Sequence, residues 1–298
     1  MKLLKGYFFI LGATIFWGIS ATLARFLFIQ HVETLIIVQM RITFSFITLL
    51  IYFLLFRRHI LKARFKDLYK FALLGILGIA GSNFTYYFTI ATTNVATAIL
   101  LQYLAPLVVL IYAVVSREER VNTVKVIAGI VSLIGCYLAI AGKDFSIITI
   151  SHAGLLTGLA SAFCWSFTNI WLKHLLKRYN VWTCLIYAFM FASLFWMMIN
   201  PPWKIIDAGY SNQTWLMFFG FAIISILIPH SLYFSGMRYL TASRGIITAT
   251  FEPIVAIVAA FFIVNEILTP VQIAGAVLVI AAIAILQLKQ EENQVAAQ

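Results

Sequence analysis

Two stretches decide the fold: Leu101-Gln102-Tyr103-Leu104-Ala105-Pro106 and Phe251-Glu252-Pro253, whose prolines stand 147 positions apart. Each proline lies inside an apolar run, where it leaves the carbonyl four residues earlier without its helical partner. The spacing recurs around them. Tyr86 and Glu119 return as Tyr233 and Glu266 at the same offset of 147, and Gly6, Trp17 and Arg25 return as Gly154, Trp165 and Lys173 at an offset of 148. A repeat of half the chain's length dictates architecture before any local feature does. The copies drift after Glu119, because the first reaches Gly129 one residue later than the second reaches Gly275.

The 298 residues are 63% hydrophobic and only 10% charged, too apolar for a water-exposed surface. Cys136, Cys164 and Cys184 are odd in number, lack a CxxC spacing and lie in apolar runs, so they read as small core residues rather than a disulfide frame or zinc site. No metal and no cofactor is expected. Lys2 and Lys5 precede an apolar stretch too long for a signal-peptide core, which reads as a retained first helix.

About 20 mostly apolar residues cross the hydrocarbon layer as a helix. The chain divides into ten such stretches: 6–28, 34–56, 68–91, 95–116, 123–142, 153–176, 181–200, 214–239, 243–264 and 269–288. The expectation is an all-α membrane protein of ten transmembrane helices, five in a first repeat (6–142) and five in a second (153–288), with a tail at 289–298. Seventeen of the 21 Lys and Arg residues fall on alternate connections and three on the others, with Arg41 inside a span. The positive-inside rule then places both termini in the cytoplasm. It also explains the net charge of +11 by topology and anionic lipid, with no nucleic-acid partner. Five crossings per repeat make the second copy start outside, so the repeats are inverted about an axis in the membrane plane.

The Trp17-Gly18 pair, Arg41, the 101–106 stretch and Phe251-Glu252-Pro253 with Glu266-Ile-Leu-Thr-Pro-Val-Gln-Ile-Ala-Gly275 resemble the EamA family of the drug/metabolite transporter superfamily. The resemblance covers residues 6–288. It implies a ten-helix basket in a bacterial-type cytoplasmic (inner) membrane, with the first four helices of each repeat around a central cavity. The fifth helices are packing elements or the seat of a homodimer. It implies export or exchange of small metabolites without ATP.

Intramembrane ionisable groups are costly and mark pathways. Glu252 is the candidate for proton coupling, on a face shared with Arg244 and Thr248 at four-residue steps; the plainer role is a cap on the Pro253 break. Arg41 heads a stripe with Ser45, Thr48 and Tyr52 and suits a solute carboxylate; its plainer roles are snorkelling, or pairing with a carbonyl or Glu33. Asn83, Tyr86 and Tyr87 correspond to His230, Tyr233 and Phe234, each trio on one helical face. Trp17 and Trp165 lie at mid-depth, away from the interfacial belts that tryptophan prefers, with Asn169 and Ser161 on the face of Trp165. Gln102 and Tyr103 complete the candidate lining. Ordinary helix packing is the alternative for every aromatic named. The fifth and tenth helices instead carry Gly129, Gly135, Ala139, Gly275, Ala276, Ala281 and Ala282, which suit close helix contact.

The function these residues support is a secondary transporter of a small metabolite, an amino acid or related zwitterion, working by alternating access with protons as a candidate coupling ion. The alternatives are a flippase for lipid or lipid-linked sugar and, remotely, an intramembrane enzyme. Asp67, Asp144 and Asp207 all fall in loops, and HExxH, GxSxG and P-loop spacings are missing, which argues against catalysis.

Overall fold

The structure, a computed structural model, describes residues 2–29, 33–93, 95–118, 121–141, 152–264 and 269–295. These are helices joined by short turns, with no strand among the described residues. The first half comprises α1 (Lys2–Ile29), α2 (Thr34–Phe56), α3 (Leu68–Leu73), α4 (Gly81–Thr92), α5 (Val95–Gln102), α6 (Ala105–Ser116) and α7 (Thr123–Ala141). The second comprises α8 (His152–Leu176), α9 (Val181–Ile199), α10 (Pro202–Asp207), α11 (Asn212–Ala222), α12 (Ile228–Met237), α13 (Ala242–Ala249), α14 (Glu252–Val264) and α15 (Pro270–Val295).

Eight helical stretches among the described residues are long and apolar enough to cross a membrane, and Pro270–Leu286 is a shorter apolar helix. Outward faces carry bare apolar side chains such as Phe8, Met198 and Phe262, stable only against lipid. The inner faces bury Trp196, Tyr233, Phe71 and Phe189. Local chemistry sets the helix starts: Asn180 Oδ1 accepts from Trp182 N at 3.0 Å, and Ser211 Oγ accepts from Thr214 N at 3.2 Å.

Irregularities fall at matched places. A π-turn at Leu74–Ala80 joins α3 to α4, and another at Ile223–Leu227 joins α11 to α12; their last residues are 147 positions apart. The α5–α6 break at 103–104 and the α13–α14 break at 250–251 share that offset. Packing is reciprocal as well. α1 lies on α12 and α14, whereas α8 lies on α4 and α6. α2 packs on α9, and α7 runs along α15 in the most extensive helix pair. That last contact depends on missing side chains: a Cβ on Gly135 would lie 2.8 Å from Gly275 O, and one on Gly275 would meet the Ala139 backbone. The small residues expected on the fifth and tenth helices therefore serve a contact within one chain.

The ninth expected span, 243–264, is interrupted. α13 ends at Ala249 and α14 begins at Glu252, so Arg244, Thr248 and Glu252 do not share the continuous helical face expected of them. Pro253 is responsible, since its ring cannot donate to the Ala249 carbonyl. Glu119 and Glu266, the last matched pair, lie outside the described residues.

Candidate solute-binding site

The two breaks face each other. Tyr103, just after α5, places its hydroxyl 3.0 Å from Glu252 Oε2 and 3.4 Å from the Ala249 carbonyl, the very carbonyl that Pro253 deprives of a helical donor. One side chain from the first half thus serves the broken turn of the second. Glu252 remains half-buried.

Arg41 reaches the same region from α2. It is 6% exposed, donates to Tyr87 Oη and to the Ser225 carbonyl at 3.3 Å, and lies over the Tyr87 and Phe221 rings at 5.3 and 5.0 Å. It neither snorkels nor pairs with exposed Glu33; it takes the carbonyl alternative. That carbonyl belongs to the second π-turn, where irregular hydrogen bonding makes it available. The Nε of Arg41 is buried without a partner.

A second cluster adjoins the first. The Trp17 ring meets Trp165 edge-on at 5.7 Å, His230 edge-on at 5.3 Å, and Tyr233 at 5.3 Å. Tyr233 Oη donates to Asn169 Oδ1, while Asn169 Nδ2 donates to the Trp165 carbonyl at 2.7 Å. Gln102 Nε2 donates to Ser161 Oγ at 2.8 Å, tying α5 to α8. Tyr233, Asn169 and His230 are buried, whereas Trp17, Trp165, Tyr86 and Gln102 keep part of their surface open.

Asn83 and His230 use their donors locally. Asn83 Nδ2 donates to Ile79 O at 2.8 Å and His230 Nδ1 meets Ile226 O at 3.0 Å, each carbonyl lying in a π-turn and the two 147 positions apart. Backbone groups freed by irregular turns in lipid need such side-chain partners. Sequence reasoning did not single out Ser225, Phe221 or Phe189, whose ring faces His230 at 5.7 Å. Ser225 is a lone hydroxyl in an apolar run, but its useful atom is the backbone carbonyl, which has no sequence signature.

Among the described residues no group of His, Cys, Asp and Glu could hold a metal ion. What the cluster offers is a cation on the Tyr87 and Phe221 rings and a carboxylate on the Tyr103 hydroxyl, beside irregular turns of the two halves.

The model of the EamA-like transporter family matches residues 4–141 and 152–288. The chain belongs to this family. It is 24% identical to the uncharacterized inner membrane transporter YicL of Salmonella typhimurium over 98% of each chain. It is 25% identical to the riboflavin transporter ImpX of Fusobacterium nucleatum over 94% of this chain and 96% of that one. The threonine/homoserine exporter RhtA of Escherichia coli is 24% identical over 69% of this chain and 67% of its own. A solved crystal structure at 16% identity superposes over 98% of each chain with a TM-score of 0.76, which shows a shared fold. The protein is a multi-pass membrane transporter of the drug/metabolite transporter superfamily, of an inner-membrane transporter family, and not an enzyme. A small molecule is its solute.

Proposed function

We propose that the protein is a secondary transporter that exports or exchanges a small zwitterion, an amino acid or close relative, across the cytoplasmic membrane. The observation that carries this reading is that a buried Arg41, on Tyr87 and the Ser225 carbonyl of one π-turn, and Glu252, on Tyr103 across the two helix breaks, are both held by tyrosine hydroxyls at irregular turns. A guanidinium suits a carboxylate, and a carboxylate suits an ammonium group or a proton. Trp17, Trp165 and Tyr233 offer the apolar wall. RhtA, named for threonine and homoserine, supports the amino acid class.

The same reading takes the chain as ten crossings in two inverted repeats, 6–142 and 153–288, with the 289–298 tail and the N-terminus in the cytoplasm. The matched π-turns and breaks, and the reciprocal packing of α1 on α12 and α8 on α4, support it. Two related halves rocking about a shared site is the ordinary route to alternating access.

The aromatic box also favours a flat ring system, as in the solute named for ImpX. Counterflow in proteoliposomes tests the two classes together. Vesicles preloaded with threonine, homoserine or riboflavin are assayed for uptake of the labelled solute, with and without a pH gradient. Amino acid counterflow without riboflavin counterflow is expected. The reverse pattern would replace the zwitterion reading with the aromatic one.

A further inference from the structure

The basic connections gather at one end of the bundle. Thr183 Oγ1 donates to Ile60 O and Tyr187 Oη to Leu61 O, both at 2.8 Å, seating the 57–67 segment on the start of α9. Beside it is a cavity of about 310 Å³ between α3, the end of α8 and the loop that follows. Its wall joins the rings of Trp171 and Tyr179 to Lys70, His174, Lys177 and Arg178.

Two of these cationic or titratable groups are already engaged. Lys70 Nζ pairs with Asp67 Oδ1 at 2.7 Å, and His174 Nε2 lies 2.9 Å from Glu118. Lys177 and Arg178 are exposed, and among the described residues neither has a carboxylate within ion-pair distance; they act on Glu118 and Asp67 only at longer range. Among the described residues, positive charge at the rim therefore exceeds what the acids Asp67 and Glu118 neutralise.

An apolar track leads to the same place. On α8, Leu156, Leu159 and Phe163 are exposed at helical spacing. The Phe167 ring continues the track, stacked on Trp171 at 5.3 Å between centroids. The cavity can hold a headgroup but not a whole lipid, so the chains of a lipid seated there would have to lie along this track. Tryptophan at its head is the residue expected where acyl chain gives way to headgroup.

We propose that this cavity is a discrete binding site for one anionic glycerophospholipid, with its phosphodiester held by Lys177 and Arg178 and its chains along the Phe163 to Trp171 face of α8. Basic pockets between transmembrane helices take anionic headgroups by this combination of charge and apolar surface. The site is separate from the Arg41 and Glu252 cluster and does not depend on which solute is carried.

Native mass spectrometry of the purified full chain tests it, using phosphatidylglycerol and phosphatidylcholine of identical chains. The double variant Lys177→Gln/Arg178→Gln should lower retention of phosphatidylglycerol by about fivefold for each charge removed. The double variant Lys62→Gln/Lys66→Gln, of equal charge change outside the cavity, should leave it nearly unchanged, and phosphatidylcholine should respond to neither. Equal losses in both variants would mean diffuse surface attraction and overturn the site. So would equal retention of the two lipids. If inorganic phosphate alone displaces phosphatidylglycerol and binds with the same dependence on Lys177 and Arg178, the site serves free phosphate and the lipid proposal falls. Unchanged melting temperatures of both variants establish that the comparison is between folded proteins.

Discussion

Tyr103 donates a 3.0 Å hydrogen bond to Glu252 across two helix breaks, so the carboxylate of one half of the chain is held by the hydroxyl of the other. Any motion that separates the breaks must release this bond, and any proton on Glu252 weakens it by removing the charge that strengthens it. Position 105, the counterpart of Glu252 in the first half, is alanine, so only the second break carries a carboxylate.

Glu252→Gln keeps the shape and an acceptor for Tyr103 but cannot exchange a proton. Uptake driven by a pH gradient should lose its dependence on that gradient, while counterflow at equal pH survives at reduced rate. Unchanged flux with unchanged proton dependence would remove Glu252 from the coupling role. Tyr103→Phe leaves both Glu252 and the Ala249 carbonyl without this donor. A lost hydrogen bond to a charged group amounts to about 1.5–3 kcal/mol, so stability in detergent should fall by about that much, read as a lowered melting temperature.

Arg41→Lys retains the charge and loses the geometry. A single ammonium cannot serve Tyr87 Oη and the Ser225 carbonyl in the planar fork that the guanidinium provides. The variant should raise the KM for carboxylate-bearing solutes and lower thermal stability in detergent by about 1–3 kcal/mol. A changed melting temperature with an unchanged KM would make Arg41 a structural brace alone.

Much of this arrangement was legible in the chain. The offset of 147 placed Asn83 opposite His230 and Pro106 opposite Pro253; the first pair bonds back to carbonyls of the matching π-turns, and each proline stands second in the helix that follows a matching break. Trp17 and Trp165 were readable as a pair because tryptophan at mid-depth is unusual, and their rings touch. The π-turns were not legible, since Leu74–Ala80 and Ile223–Leu227 are apolar runs whose period does not announce an extra residue per turn. Without them, the Ser225 carbonyl and hence the orientation of Arg41 were out of reach. The apparent stripe of Arg244, Thr248 and Glu252 misled for a related reason: helical spacing was counted across a break that Pro253 imposes.

Trp17 contacts three rings at once, so Trp17→Ala should destabilise the aromatic box more than Trp17→Phe. Aromatic pairs contribute about 0.5–1.5 kcal/mol each beyond buried area. Competition assays should show Trp17→Ala losing apolar and ring-bearing competitors while glycine competes as before. Equal loss of all competitors would assign Trp17 to packing.

Glu118 gives a pH dependence outside the membrane. The hydrogen bond from His174 comes first among the effects that hold its carboxyl below the usual range, with the His174 and Lys177 charges and the Tyr112 hydroxyl adding to it against partial desolvation. A carboxyl depressed in the fold stabilises fully above its unfolded pKa, about 4.3, and the gain is lost as pH falls through the folded value. Because the Glu118 side chain is 43% exposed, the effect is small, under about 1 kcal/mol. Melting curves of wild type and Glu118→Gln should differ slightly near neutral pH and converge in acid. Curves that stay parallel would show that this pair contributes no pH dependence.

Two glycine substitutions should move stability in opposite directions. A Cβ on Gly275 would lie 2.6 Å from Gly135 O and 3.0 Å from Ala139 Cα, both backbone atoms that cannot swing aside. Gly275→Ala must therefore push α15 away from α7, and overpacking of this kind costs about 1–3 kcal/mol. Gly220 lies within α11 with nothing within 4 Å of its would-be Cβ. There Gly→Ala meets no obstacle and restricts the unfolded chain, which should stabilise the helix by about 0.5–1 kcal/mol. Melting temperatures in one detergent decide the matter: a lowered value for Gly275→Ala beside a raised or equal value for Gly220→Ala. If both variants melt alike, the α7–α15 contact has enough slack to absorb a methyl group, and its close approach does not hold the fifth and tenth helices together.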